Sequence, residues 1–220
     1  MADSAQRQVT TLQASWIEPS RTALCIIDIQ QDFASPDGLL GQFGLNMDSV
    51  QTAIANCQKI VTAARKANVP IYFIGLKTAK ETDSPSWKKW MSRQGRDPEI
   101  ESAICRVGTK GSDFFKVLPE PSDSVVYKTR YSAFHGTELD KQLDQKNIDT
   151  LVFCGVTTEC CVESSVRDAF HLDYHAIVVT DACAAYEPQV HDASLSAMAI
   201  NFALLSDTQQ LCSIWKKYFS

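Results

Sequence analysis

The chain has 220 residues, 45% hydrophobic and 21% charged, with a formal net charge of −5. That length supports one domain with a substantial buried core, and the acidic balance without a basic cluster excludes nucleic acid as an expected partner. No apolar run approaches the length of a membrane span, and the polar residues 1–16 do not read as a signal peptide.

In chain order, residues 1–15 read as a polar N-terminal tail and 16–220 as a single domain. Leu24-Cys25-Ile26-Ile27 is a short continuous apolar run, and Asp28 follows it. Val50, Ile54, Cys57, Ile60 and Val61 form a helical stripe within 48–67. Further apolar runs lie at 69–74, 124–127, 151–154 and 176–179, with a weaker one at 202–205. Such runs suit strands covered on both faces. Helical patterns over 137–146, 160–173 and 190–201 separate the later runs. The alternation predicts an α/β fold: a three-layer α-β-α sandwich around a doubly wound, mostly parallel six-stranded sheet. Residues 77–122, with Trp87, Trp90, Pro85 and Pro98, interrupt the rhythm. An insert of that length is expected to form a wall or lid beside a site.

The eight cysteines include no CxxC pair, so neither structural zinc nor a disulfide framework is expected, and the setting reads as a reducing cytoplasm. Most of the eight read as small apolar residues. The exception is Gly155-Val156-Thr157-Thr158-Glu159-Cys160-Cys161-Val162, a strand-to-helix corner. Unpaired N–H groups and the helix dipole at such a corner favour a thiolate.

Ligands of open parallel sheets bind beyond the carboxyl ends of the strands. Asp28, Lys128 and the 160–161 cysteines all fall there. Taken singly, Asp28 reads as a cap, Lys128 as a solvated lysine and either cysteine as a buried one. Together they read as a base, a cation and a nucleophile. Adjacent helix residues diverge by about 100°, so one cysteine is expected to face the site.

At these residues the chain resembles the isochorismatase-like cysteine hydrolases. The resemblance rests on residues 23–33, on Lys128 with Tyr131-Ser132-Ala133-Phe134, on 155–162 with Arg167-Asp168-Ala169, and on 178–182. It implies a triad of Asp28, Lys128 and Cys161, with Cys161 preferred over Cys160. It also implies a cis peptide at Val156–Thr157 and an oxyanion hole formed by the Thr157 and Cys161 N–H groups. Nicotinamidase relatives carry a histidine metal site after the second strand. Residues 75–90 here contain no histidine, so neither metal nor cofactor is expected. The ureidoacrylate and biuret-type amidohydrolases look most similar, which implies cleavage of a small ureido or carbamoyl amide through a thioester.

Phe33, Trp87 and Tyr131 are expected to wall the substrate, with Arg130 or a lysine of 77–89 as a cation for a carboxylate. His135 reads as exposed, Thr158 as a turn residue, and Arg167 with Asp168 as an ion pair or cap. The resemblance further implies a homo-oligomer, dimer or tetramer, acting on a small molecule. The alternatives are isochorismate hydrolysis to pyruvate, a catalytically silent binding member, and a redox sensor built on Cys160-Cys161.

Overall fold

The computed structural model describes residues 9–219; residues 1–8 of the expected tail lie outside the described residues. In chain order the elements are β1 (Thr22–Ile27), α1 (Gln31–Ala34), α2 (Leu39–Gln42), α3 (Asp48–Lys66) and β2 (Ile71–Leu76), then α4 (Pro85–Arg93), α5 (Pro98–Glu101) and β3 (Ser124–Lys128). They continue with α6 (Leu139–Asp144), β4 (Thr150–Val156), α7 (Glu163–His171), β5 (His175–Ala184), α8 (Pro188–Asn201), β6 (Ala203–Ser206) and α9 (Thr208–Trp215).

The six strands form one sheet in the order β3-β2-β1-β4-β5-β6. Every pairing is parallel. β1, β2 and β4 are buried at every position, which is why they read as unbroken apolar runs rather than alternating ones. Alternate side chains of β1 serve opposite cores. Leu24 and Ile26 pack with Val50, Ile54 and Ile60 of α3 and with Trp215 of α9. Ala23, Cys25 and Ile27 pack with Leu139 of α6, Val166 of α7 and Met198 of α8. The result is the expected three-layer sandwich. The strand order reverses between β1 and β4, and this switch point is where such sheets open a crevice for ligand.

The expected helix over 160–173 divides in two: a π-helical turn over Thr158–Val162, then α7. α9 has no counterpart in the sequence reading. Residues 10–12 of the expected tail are docked rather than free. The Thr10 N–H donates to the Leu205 carbonyl at 2.8 Å, and the Leu12 N–H to Gln210 Oε1 at 2.7 Å. No helix among the described residues is long and apolar enough to cross a membrane.

The 77–122 insert is folded and anchored. Pro85 and Pro98 open α4 and α5 at a position where a missing N–H is harmless. Ser84 Oγ accepts from the Trp87 N–H at 3.2 Å, and Asp97 Oδ1 from the Glu99 N–H at 2.9 Å, capping both helices. The buried Gln30 amide binds both backbone groups of Leu76 and the Ser112 carbonyl. Asp32 accepts from the N–H groups of Leu39 and Cys105. The loop after β1 is thereby tied to the end of β2 and to the insert.

Candidate active site

Three strands deliver the residues of the expected triad to one end of the sheet. Asp28 directly follows β1, in a left-handed conformation (φ +49°) that aspartate tolerates better than most residues. Lys128 is the last residue of β3, and its long side chain reaches inward to Asp28. Cys161 stands in the π turn after β4. Lys128 Nζ lies 2.7 Å from Asp28 Oδ2 and 3.3 Å from Cys161 Sγ. It also donates to the Arg130 carbonyl at 3.1 Å. A lysine 1% exposed and an aspartate 0% exposed form a sealed ion pair.

The electrostatics follow from that burial. Desolvation raises the Asp28 carboxyl above the ordinary range, against the lowering charge of Lys128 and a contact with the Cys161 thiol. Asp28 is therefore a stronger base than a surface carboxylate. Burial alone would depress Lys128, but the Asp28 charge and the hydrogen bonds to Asp28 and Cys161 outweigh it and hold the ammonium protonated. The Cys161 thiol is held well above its usual value, by a hydrogen bond with Cys160, by burial and by the Asp28 charge. This corrects the expectation that the corner by itself favours a thiolate. The resting sulfur carries its proton and needs a base. Asp28 Oδ1, sealed and without a hydrogen-bond partner among the described residues, has the vacancy to take it.

Cys161 lines a cavity of about 980 Å³, with the Asp28–Lys128 pair sealed behind it. Phe33, Trp87 and Tyr131 all line it, as do Thr157, Cys160, Cys161 and Arg130. The Trp87 indole N–H donates to the Tyr131 hydroxyl at 2.8 Å, joining α4 of the insert to the loop after β3. Phe33 belongs to the core as well as to the wall, and the Tyr186 hydroxyl donates to its carbonyl at 2.8 Å. The Val156–Thr157 peptide is cis. Both vicinal cysteines line the cavity, contrary to the expectation that only one would. The wider π turn replaces the α-helical turn on which that expectation rested. Only Cys161 has a sulfur bonded to Lys128.

Other expectations need correction. Arg167 pairs with Glu163 one turn earlier and stacks on Phe202, rather than pairing with Asp168. Thr158 Oγ1 meets His191 Nδ1 at 2.8 Å instead of serving only its own turn. His135 is exposed, as expected, but in a turn. The sequence reading missed Ser165, whose buried hydroxyl donates to the Cys161 carbonyl at 2.6 Å and accepts from the Ala133 N–H at 2.9 Å. The spacing of four from Cys161 to Ser165 on a helical stretch was the available signal. Arg96 also lines the cavity, bonded to Glu101 by both Nε and Nη2.

Gly155 is a steric requirement of the corner. Its φ is +120°, and a Cβ there would lie 2.1 Å from the Ile27 carbonyl oxygen on β1. Gly155→Ala is expected to destabilise the fold by about 2–4 kcal/mol, read as a lowered urea midpoint at an unchanged denaturant slope.

A family model described as the isochorismatase domain matches residues 22–210. Among curated proteins the chain is similar to the ureidoacrylate amidohydrolase RutB of Methylobacterium radiotolerans, 34% identical over 201 residues, 87% of this chain and 78% of that protein. Among solved structures it is similar to a cysteine hydrolase from Pseudomonas syringae pv. phaseolicola 1448A, with a TM-score of 0.80 at 25% identity, covering 97% of this chain and 100% of that one. N-carbamoylsarcosine amidase from Thermoplasma acidophilum superposes with a TM-score of 0.69 at 26% identity, covering 86% and 96% of the respective chains.

Proposed function

The chain belongs to the isochorismatase family, and from that premise we propose that it is a metal-independent cysteine amidohydrolase that cleaves a C–N bond of a small ureido or carbamoyl amide, with Cys161 as nucleophile. The observation that carries this is the contact of one buried ammonium with both Asp28 Oδ2 and Cys161 Sγ. The curated relatives named as ureidoacrylate amidohydrolases support a C–N substrate.

In this reading Asp28 Oδ1 takes the thiol proton as Cys161 Sγ attacks the ureido carbonyl carbon. The N–H groups of Thr157 and Cys161 hold the developing oxyanion. Lys128 keeps its proton throughout and stabilises first the aspartate, then the thiolate. The tetrahedral adduct collapses, the C–N bond breaks, and the amine leaves with the proton held by Asp28. A thioester-type S-carbamoyl cysteine remains. Water, losing a proton to Asp28, attacks that carbonyl. The C–S bond breaks, the thiolate recovers the proton, and a carbamic acid leaves. Residues 16–220 act in this reading as one hydrolase domain, cytoplasmic and assembled as a homo-oligomer.

The test is to mix the enzyme with ureidoacrylate, follow the ammonia released, and acid-quench the reaction for mass spectrometry. Ammonia release together with a carbamoyl adduct on the peptide containing Cys161 is the expected result. Release of pyruvate from isochorismate, with no adduct and no ammonia from amides, would overturn it.

A further inference from the structure

The charged side chains that line the cavity pair off apart from two, Arg130 and Glu159, and burial pushes the Glu159 carboxyl up, toward its neutral form. Asp83 is held by Arg106 through two bonds, at 2.6 and 2.7 Å, and by Lys88 at 3.0 Å. Arg96 is neutralised by Glu101. Arg130 lines the same cavity, yet among the described residues no carboxylate lies within ion-pair distance of it. Its Nη1 donates to the carbonyls of Thr82 at 3.0 Å and Thr129 at 2.8 Å, and its Nε and Nη2 donate to no described protein group. Two donors of a planar guanidinium are the fork that a carboxylate fits. The Arg130 backbone is held in place, because its carbonyl accepts from Lys128 Nζ. The anchor is therefore set at a defined position relative to the triad.

We propose that Arg130 is the specificity-determining residue of the site: it binds the carboxylate of a short ureido acid while the ureido carbonyl lies at Cys161. The inference rests on the amidohydrolase reading and narrows it, from ureido compounds in general to those carrying an anion at the far end. Neutral ureas of the biuret type lack the group that Arg130 awaits. The competing role for Arg130 is that of a staple, joining the loop after β3 to Thr82 of the insert through its Nη1 bonds.

A matched pair of substrates separates the two roles. Ureidoacrylate and its methyl ester share the reacting group and the conjugated chain, and ammonia release reports C–N cleavage for both. The unaltered enzyme is expected to favour the anion. Arg130→Gln is expected to lower kcat/KM for ureidoacrylate by about 10- to 100-fold, mainly through KM, and to leave the ester nearly unaffected. Arg130→Lys, which keeps the charge but not the fork, is expected to fall between. Equal losses on both substrates, or an unaltered enzyme that takes the ester as readily as the anion, would overturn the inference while leaving the amidohydrolase reading intact. An unaltered enzyme that cleaves neither would overturn both. The preference of the unaltered enzyme is measured without any variant, so a misfolded substitution does not remove the test.

Discussion

Cys161→Ala is expected to lose turnover by about 10⁴-fold or more while keeping its fold. The side chain is small and buried, and alanine removes the sulfur without adding volume. No neighbour can replace it. Cys160 shares the cavity wall, but no bond joins its sulfur to Lys128, whereas Cys161 Sγ sits 3.3 Å from Nζ. Cys160→Ala is therefore expected to leave the rate nearly unchanged. Steady-state kinetics on the two variants, with circular dichroism to confirm folding, decide the matter. Full activity in Cys161→Ala would end covalent catalysis by this sulfur. Loss in Cys160→Ala alone would move the nucleophile by one residue. Loss in both would point to the vicinal pair acting together, since each sulfur contributes to the other's surroundings.

The architecture was readable because burial on both faces leaves a plain mark. β1, β2 and β4 carry no polar residue facing solvent, so each stands out as an apolar run. Asp28 and Lys128 were readable for a related reason: a charged residue at the end of such a run marks the sheet edge. What lay beyond reading depends on contacts across the chain. Pro85 and Pro98 fall in the segment that interrupts the strand-helix rhythm, yet each begins a helix, because Ser84 and Asp97 supply the caps. The bond between Trp87 and Tyr131 spans 44 residues, and nothing local announces it. The π turn at Thr158–Val162 looks in sequence like an ordinary helix start, and that difference let Cys160 as well as Cys161 reach the wall. α9 was within reach: Leu211, Ile214 and Trp215 have helical spacing and are buried.

Asp28→Asn is expected to reduce kcat/KM by about 10²–10⁴-fold, the range of a lost general base. Asparagine keeps the shape and the hydrogen-bonding oxygen but cannot take the thiol proton. In the unaltered enzyme the rate should fall on acidification as Asp28 gains a proton. Because burial raises this carboxyl, that acid limb lies above the ordinary aspartate value of about 3.9. The limb should vanish in the variant. Stability provides an independent reading with a definite sign. In the parent, Lys128 in the fold holds its proton more tightly than in the unfolded chain. Its contribution is fully present below the unfolded value and is lost as pH rises through the folded one. Removing the Asp28 charge leaves a buried ammonium without its counter-ion, at a cost of about 3–5 kcal/mol. Burial, already the largest influence on Lys128, then prevails and depresses it. The unfolded state now binds the proton more tightly, so stability should climb with pH between the folded and unfolded values. The stability of Asp28→Asn relative to the parent, read from denaturation curves, would therefore climb between about pH 7 and 10. Parallel curves would mean that the ammonium does not depend on Asp28, and the aspartate could not then be the group that holds the triad's charge.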